Sequence, residues 1–585
     1  MVEDPMSSTP EKSVEPAIEL RETVNDGQQT VSSKPFWQNP LFIGSYLAMS
    51  LGVTGYYTGF AMPSNTLSII NADIGPSADI TWVSTCFTLT AAISSTIVGR
   101  LSDIFGRRYF FVAGSMLALI GSIVASTSKT VNQLIGATAL IGLGSGTQSS
   151  YVYVIAEIVP YKHRALMIGL INILTVPASA FGPLVARAFI LHTSATWRWN
   201  YYFAIILNGC STILWFTCYF PPRFETLHRN RSRWQQLLKV DFIGMLLFSG
   251  GMLLFLLGIS WGGNQYAWNS AHVIATIVVG AVMLIAFILF EIYSGIDEPF
   301  IPLSSFKNIQ FDVIVLLSVV GGMVYYSSAV IYPTLIQIFY TTDIFRVGVL
   351  TCAPTAGTCF GLFAGGLVCE KIGHLKIQYI FSACALTAFT AGLAAANASN
   401  QDLATAFGVL GGFFVGYLEL LTESTSTIVL SDQMLLGSSI GVLNTLRTAS
   451  GTIATTIYVS ILTNTVSAKM TSVFVPAVVR AGLPTNMVER FVAAFTSGSE
   501  TAIASVPGVT PELLRTATTA YQACYSAGFR KVFLTSIAFG GCAIVASLLY
   551  RDIKPEVMER GVVVHLQRPN REETVVVQGA PDKEE

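Results

Sequence analysis

Long apolar stretches recur along the chain, and each is long enough to cross a lipid bilayer as a helix. The hydrocarbon core of a bilayer requires about 20 mostly apolar residues per helix. Of the 585 residues only 11% are charged, against roughly 25% in soluble proteins. The sequence therefore predicts an all-α membrane protein. Its fourteen candidate spans lie near residues 41–64, 80–99, 108–127, 133–156, 165–190, 200–220, 242–260, 272–293, 312–333, 347–369, 377–396, 403–430, 437–462 and 531–550.

The Lys and Arg residues of the short loops predict the orientation, because cytoplasmic loops carry an excess of them. With the amino terminus inside, most of these residues fall on the cytoplasmic side, and the short outer loops hold only Lys129, Arg198 and Arg346. Both termini are predicted to be cytoplasmic. We call the side of residues 99–108 the inner side and the side of residues 463–530 the outer side. The sequon that begins at Asn397 falls in an outer loop and is a glycosylation candidate.

One predicted inner turn is unusually rich in charge. The sequence GRLSDIFGRR occupies residues 99–108, between the second and third spans. Glycines permit tight turns and close helix approach, and an Asp can cap a helix start and pair with an Arg. We predict a latch that holds the two halves of the molecule together on the inner side, and the alternative is that the arginines of this turn only anchor the topology. Its residues are Gly99, Arg100, Asp103, Gly106, Arg107 and Arg108.

A similar turn follows 267 residues later, between the tenth and eleventh spans. Gly366, Glu370 and Gly373 there match Gly99, Asp103 and Gly106. This repeat indicates two six-helix halves, an architecture of secondary transporters. The predicted organisation is a disordered cytoplasmic tail (1–40), a first half (41–220), an inserted helix pair with a basic cytoplasmic loop (221–300), a second half (301–550) and a cytoplasmic tail (551–585). Within the second half, the long outer loop 463–530 is predicted to hold short amphipathic helices near the membrane surface.

Several segments carry a family resemblance. GRLSDIFGRR resembles the signature loop of the major facilitator superfamily, and fourteen spans are typical of its drug:proton antiporter branch. The segments NTLSIINADIGPSADITWV, WRWNYYFAIILNG and KVDFIG resemble the fungal trichothecene efflux pump family, to which fungal siderophore importers are similar. The resemblance implies proton-coupled export of a small amphiphilic secondary metabolite or toxin. Siderophore-iron uptake is the alternative, and a non-transporting nutrient sensor is a third possibility.

The sequence departs from the antiporter pattern at several positions. Thr138 and Ile141 stand where the fourth-span motif has Arg and Gln, and Thr54 replaces an Asp of the first span. The helix-bend motif of the fifth span keeps Gly182 and Pro183, but Ala186 and Arg187 replace its next glycines. Proton coupling therefore requires other acids.

Charges inside a bilayer are costly and mark functional positions. Glu419 and Glu423 lie four residues apart in span twelve, hence on one helix face. Arg447 of span thirteen lies at nearly the same depth, counted from the inner helix ends at 1.5 Å per residue. These three residues are the proton-coupling candidates, and a permanent structural ion pair is the alternative.

Side chains that combine a ring or an apolar stem with a polar group are candidates for the substrate cavity. A role in helix packing is the alternative for each of them. They are Tyr56, Tyr57, Gln148, Tyr151, Tyr325 and Tyr326.

Other chemistries find no support in the sequence. No nucleotide-binding GxxxxGK[ST] loop is present, no Cys or His set has metal-ligand spacing, and the net charge of −1 gives no indication of a nucleic-acid partner. We expect a transporter rather than an enzyme, without cofactor or metal, whose partners are a small-molecule substrate, protons and the lipid bilayer. The plasma membrane is the expected location, with a vacuolar or vesicle membrane as the alternative.

Overall fold

The computed structural model describes residues 36–221, 240–263, 265–296, 299–430, 435–496 and 503–553. The predictions for the basic loop 223–239 and for nearly all of the two tails lie outside these residues. The first half and the inserted pair are helical. Their helices are α1 (Pro40–Ser64), α2 (Leu67–Ile74), α3 (Trp82–Phe105), α4 (Arg107–Ser126), α5 (Val131–Gln148), α6 (Tyr151–Ile158), α7 (Arg164–Ser179), α8 (Gly182–His192), α9 (Arg198–Cys218), α10 (Phe242–Trp261) and α11 (Ala271–Tyr293).

The second half is helical as well. Its helices are α12 (Ile309–Phe339), α13 (Ile344–Ile372), α14 (Leu375–Gly392), α15 (Gln401–Val429), α16 (Leu436–Lys469), α17 (Val475–Arg480), α18 (Val488–Thr496) and α19 (Pro511–Leu549). Short 3-10 turns connect several of them, at Phe36–Gln38, Ala78–Thr81, Tyr161–His163, Ser305–Lys307, Leu393–Ala395 and Thr485–Met487, and a π-helical turn covers Met470–Phe474.

The described residues form fourteen helical passes, as the apolar stretches predict, if α5 with α6 and α7 with α8 each count as one. Eleven of the helical segments are long and apolar enough to cross a membrane by length and composition alone. The other three passes contain α1, α5 and α16, which carry many Gly, Ser and Thr residues. These helices pack against other helices over much of their length, so small and polar side chains replace lipid-facing ones.

The two halves meet chiefly through two helix pairs, α3 with α16 and α7 with α13. Glycines line both contacts. A Cβ on Gly441 would lie 2.6 Å from the carbonyl oxygen of Ser95, and a Cβ on Gly169 would lie 3.0 Å from the Cα of Gly366. Backbones therefore approach closely on the inner side of both contacts, as small residues allow in membrane helices.

The inserted pair, α10 and α11, packs together and lies against α3 and α16. One face of α11 is apolar and exposed at Val278, Val282, Ile285 and Leu289, each at least half accessible. Such a continuous apolar face is what lipid tails cover in a membrane.

The outer segment 463–530 differs from its prediction. It is not mainly a loop, because α16 extends to Lys469 and α19 begins at Pro511, twenty residues before the predicted span. The short helices do exist as α17 and α18, but their apolar side chains, including Val478 and Phe491, are buried in a cluster with α19. They form a small cap with its own core, so their apolar faces are not available to the membrane surface.

Candidate functional site

Asp103 links the two halves on the inner side. Its carboxylate, near the end of α3, accepts hydrogen bonds from the backbone N–H groups of Gly437 (3.2 Å) and Ser438 (2.7 Å), and from the Ser438 hydroxyl (2.8 Å). These groups belong to the first turn of α16, where N–H groups lack partners within the helix and the helix dipole attracts negative charge. The sequence predicted a capping role for Asp103, and the structure identifies the capped helix as α16 of the other half.

Arg107 extends this contact into the first half. Its guanidinium forms ion pairs with Asp103 at 3.0 Å and with Glu157 at 2.9 Å, and it donates to the carbonyl oxygen of Tyr153. The guanidinium also lies 4.4 Å from the centre of the Tyr153 ring. A chain of charges thus runs from the start of α16 through Asp103 and Arg107 to Glu157. We call Asp103, Arg107, Glu157 and Ser438 the inner latch.

The remaining residues of the charged turn have other neighbours. Arg108 donates to the carbonyl oxygen of Phe216 at 2.7 Å and lies over the ring of Phe220. Arg100 is buried close to Glu291, at the end of α11. Gly106 adopts a φ of 90°, which is left-handed backbone that favours glycine, and this allows the turn between α3 and α4.

The turn at Gly366, Glu370 and Gly373 repeats this geometry only in part. Gly373 also has a positive φ, of 60°, and Gly366 packs on α7 as Gly99 packs on α16. Glu370 lies near Lys162, but its Oε1 is buried and has no hydrogen-bond partner among the described residues. The glycines of the two turns therefore act alike, whereas the acids do not. The gating roles of both turns stay predictions.

The proton-coupling candidates come together between the halves. The Arg447 guanidinium forms an ion pair with Glu419. Glu423 accepts a hydrogen bond of 2.9 Å from the hydroxyl of Tyr151, which lies on α6 of the first half. All four side chains are largely buried. We call Glu419, Glu423, Arg447 and Tyr151 the acid cluster.

The tyrosines predicted to line the cavity surround this cluster. The hydroxyls of Tyr56 and Tyr326 are 2.7 Å apart and join the first half to the second. Tyr57 packs edge to face on Tyr56, and the Arg447 guanidinium lies 5.9 Å from the centre of the Tyr325 ring. Gln148 instead donates to the Asn208 side chain at 2.6 Å, within the first half.

Two neighbouring cavities lie on the outer side of the acid cluster. The larger, which we call the outer cavity, has a volume of about 590 Å³. It lies between α1, α3, α12 and α16 and reaches the outer residues Thr81 and Gln265. The smaller, of about 50 Å³, is lined by Tyr325 and by Val415, one helical turn before Glu419. Phe60, Asn65 and Pro333 line both cavities. Of the predicted cavity residues, Tyr326 lines the outer cavity and Tyr325 the smaller one, while Tyr56, Tyr57, Gln148 and Tyr151 line neither.

Many cavity-lining side chains were not predicted from the sequence, and three of them define the chemistry of the wall. Trp82 and Trp261 supply apolar walls to the outer cavity, and Arg187 supplies a charge. Arg187 stands out in the sequence as a departure from the glycine pattern after Gly182 and Pro183, which could have marked it as a site residue. Its position beside the cavity depends on the break between α7 and α8 at residues 180–181, where the bend motif was predicted.

Two further predictions can be located. Asn397 is exposed in the turn between α14 and α15, where its side-chain oxygen accepts from the Ser399 backbone N–H at 2.9 Å. Its glycosylation stays a prediction. Within the described part of the chain, no group of three or more His, Cys, Asp or Glu side chains could hold a metal ion.

The amino-acid sequence of the chain is similar to those of known proteins. Residues 15–583 match the family described as fungal trichothecene efflux pump (TRI12). The chain is 32% identical over 530 residues to the trichothecene efflux pump TRI12 of Trichoderma arundinaceum, covering 88% of this chain and 87% of that protein. It is 29% identical over 524 residues to the protein of the same name from Fusarium sporotrichioides, with the same coverage.

Among solved structures, the proton:xylose symporter XylE of the major facilitator superfamily aligns with a TM-score of 0.52 at 14% identity. The alignment covers 89% of this chain and 97% of that one. At this identity the likeness concerns the fold alone, and it agrees with two six-helix halves.

Proposed function

Because the chain belongs to the fungal trichothecene efflux pump family, we propose that it exports a small amphiphilic secondary metabolite or toxin, driven by protons. The substrate class follows the names of its relatives, and the plasma membrane is the proposed location. The observation that carries proton coupling is the acid cluster, which lies between the halves, inward of a cavity that reaches the outer side.

The acid cluster offers a means of coupling protons to movement. Glu419 and Arg447 belong to the second half, whereas the bond from Tyr151 to Glu423 crosses between the halves. A proton on Glu419 removes its attraction for Arg447, and a proton on Glu423 weakens the bond from Tyr151, since hydrogen bonds to charged groups are the stronger ones. Protonation from the outer side therefore loosens a tie between the halves.

The inner latch supports alternating access. We take the inner side to be closed in this structure, because the contacts of Asp103 with α16 and the close glycine contacts join the halves there, while the outer cavity reaches exposed outer residues. When the cluster is protonated, the halves can rock until the latch opens and the substrate enters from the inner side. Release of the protons inward then restores the closed inner side, and the substrate leaves outward.

The cavity fits the proposed substrate. A volume of about 590 Å³ lies within the roughly 300–1,000 Å³ that small-molecule sites occupy. Its wall combines aromatic rings, such as Trp82, Trp261 and Phe60, with many hydroxyl groups of Ser and Thr. Apolar walls with scattered hydroxyls bind oxygenated, ring-shaped molecules.

Efflux measurements in a host without pumps or siderophore carriers of its own test this function. We expect cells that make the wild-type chain to retain less radiolabelled trichothecene, and a protonophore to abolish the difference. In Glu423→Gln we expect efflux to fall about tenfold or more, which corresponds to a barrier about 1.4 kcal/mol higher, because the neutral amide can no longer exchange a proton.

The matched control is Glu512→Gln, which changes an exposed acid on the outer side and should leave efflux unchanged. Efflux that is insensitive to the protonophore would exclude proton coupling. Accumulation of labelled ferric siderophore without any change in trichothecene retention would exclude export.

A further inference from the structure

Arg187 is a buried cation at the wall of the outer cavity. Its side chain is 6% exposed. Among the described residues that line the cavity, it is the single one with a charged side chain, and the others are apolar, hydroxyl or amide residues. The described lining of the cavity therefore carries one positive charge and no negative charge.

The contacts of Arg187 leave most of its binding capacity unused. Nη1 donates to the carbonyl oxygen of Ile344 at 3.2 Å, and Nη2 donates to that of Asn65 at 3.4 Å. Nε is buried without a hydrogen-bond partner among the residues that the structure describes. A guanidinium has five N–H donors, and neither carbonyl neutralises its charge. No carboxylate of the described residues forms an ion pair with it, unlike Arg107 and Arg447.

Asn65 adds a second unsatisfied atom at the same place. Its side-chain oxygen is buried without a partner among the described residues, while its amide nitrogen donates to the carbonyl oxygen of Ala61 at 2.8 Å. An unpaired donor and an unpaired acceptor thus belong to two residues that touch each other and both line the cavity. Buried polar atoms without partners are rare in native structures and require an explanation.

We propose that Arg187 forms, with Asn65, a binding site for the negatively charged oxygen group of a substrate, such as a carboxylate beside a hydroxyl. A carboxylate satisfies the guanidinium in a bidentate arrangement and neutralises a buried charge that is otherwise costly. A neighbouring hydroxyl can donate to the Asn65 oxygen. This inference rests on the proposed function, because it specifies that the exported amphiphiles include acidic compounds.

The rest of the cavity determines what else such a substrate carries. Trp82, Trp261 and Phe60 accept an apolar ring system, and the Thr hydroxyls of α16 face the same space. The substrate therefore combines an apolar body with an acidic end that reaches α8.

The test uses two ligands that differ in charge and by a single methyl group. A radiolabelled trichothecene is esterified to its hemisuccinate, which carries a carboxylate at pH 7, and to the methyl ester of that hemisuccinate, which is neutral and nearly the same size. Dissociation constants are measured with the purified full chain in detergent. We expect the wild-type chain to bind the acid about tenfold more tightly than the ester, a difference of about 1.4 kcal/mol, since hydrogen bonds to charged groups are stronger than those to neutral ones.

The variants locate the effect. In Arg187→Gln the preference should fall to about one while affinity for the neutral ester remains. Arg187→Lys should keep part of the preference, because a charge without the planar fork is left. Gln337→Ala alters an uncharged residue of the same cavity and should leave the preference unchanged.

Two results would overturn the site: equal affinities for both esters in the wild-type chain, or an unchanged preference in Arg187→Gln. The first does not depend on any variant folding. Efflux of the unmodified, neutral trichothecene by the wild-type chain is measured in parallel. If that efflux is absent while the acid preference persists, the proposed function fails and the anion site stands. If efflux occurs without the preference, the site fails and the function stands.

Discussion

Buried charges in this protein are accommodated in three different ways. Arg107 is neutralised by two carboxylates within the inner latch, Arg447 by Glu419 within the acid cluster, and Arg187 by none of the described residues. The cost of burying an ion explains why the first two are paired. Pairing alone does not separate a structural role from a functional one, and for Glu419 and Arg447 the sequence left both interpretations open.

Removing one or both partners distinguishes the two interpretations. We expect Glu419→Gln to lower the free energy of unfolding by about 3–5 kcal/mol, because it leaves Arg447 buried without its ion-pair partner. The double variant Glu419→Gln with Arg447→Gln should recover most of this loss, since neither partner of the broken ion pair remains. The measurement is thermal or denaturant unfolding of the purified chain in detergent, with efflux assayed on each variant.

The double variant is decisive. A stable protein that no longer responds to a protonophore would assign the pair to coupling. If the double variant is stable and its efflux remains proton-driven, the pair is a structural staple, and Glu423 alone carries the proton.

Helix contacts depend on glycine where the two halves meet. A Cβ on Gly441 of α16 would lie 2.6 Å from the Ser95 carbonyl oxygen and 3.2 Å from the Cα of Thr96, both backbone atoms of α3. Backbone cannot move aside as a flexible side chain can. Closure of the inner side therefore requires a residue without a Cβ at this position, independently of the charges at Asp103.

We expect Gly441→Ala to prevent full closure of the inner side and to reduce efflux strongly, at least tenfold. The matched control is Gly136→Ala, because a Cβ on this exposed helical glycine would meet nothing within 4 Å. Alanine is the better helix former by about 1 kcal/mol, so the control should be as stable as the wild type or more so. Equal efflux of both variants would show that the close contact is not needed for transport.

The sequence predicted most of the membrane-spanning helices but little of the segments that connect them. Runs of Leu, Ile, Val and Phe mark the helices, because hydropathy alone decides which segments enter a bilayer. The start of α19 was missed since residues 511–530 include TATTAYQACYSAG, which is too polar for a span. These residues continue the helix beyond the membrane, packed against the cap.

The charged residues of the candidate site were identified from the sequence, but the residues that contact them were not. Asp103, Glu419 and Arg447 are conspicuous as charges in apolar surroundings. Ser438 is an ordinary polar residue whose role depends on which helix lies opposite, and this is a long-range property that no local pattern carries. Arg187 was noticed as a departure from a motif, but its contact with the outer cavity depends on how α8 packs against α13.

The two turns that match in sequence, at Asp103 and at Glu370, contribute unequally to the contact between the two halves. Asp103 makes three hydrogen bonds to the start of α16, whereas Glu370, at the matching position, has a buried oxygen without a partner in the described part of the chain. Stabilisation of the closed inner side is thus concentrated on the α3–α16 contact. The α7–α13 contact relies on packing, with Gly169 against Gly366. The halves are therefore expected to separate first along α7 and α13 and last at Asp103.

This asymmetry gives a test of the latch. Asp103→Asn replaces two acceptor oxygens with one and removes the charge that faces Arg107 and the start of α16, so the closed inner side should lose about 3 kcal/mol, more than a hundredfold in its equilibrium. Insertion should be unaffected because Lys and Arg residues are unchanged.

The reporter is Thr445→Cys, a fully buried position of α16, labelled from the inner side by an impermeant thiol reagent and compared with the chain lacking this cysteine. We expect labelling in Asp103→Asn and protection in Asp402→Asn, whose acid is exposed at the outer start of α15. Glu370→Gln should leave the reporter protected, because no such bonds from that acid are found among the described residues. If Glu370→Gln exposes the reporter as much as Asp103→Asn does, the two turns contribute equally and closure is symmetric.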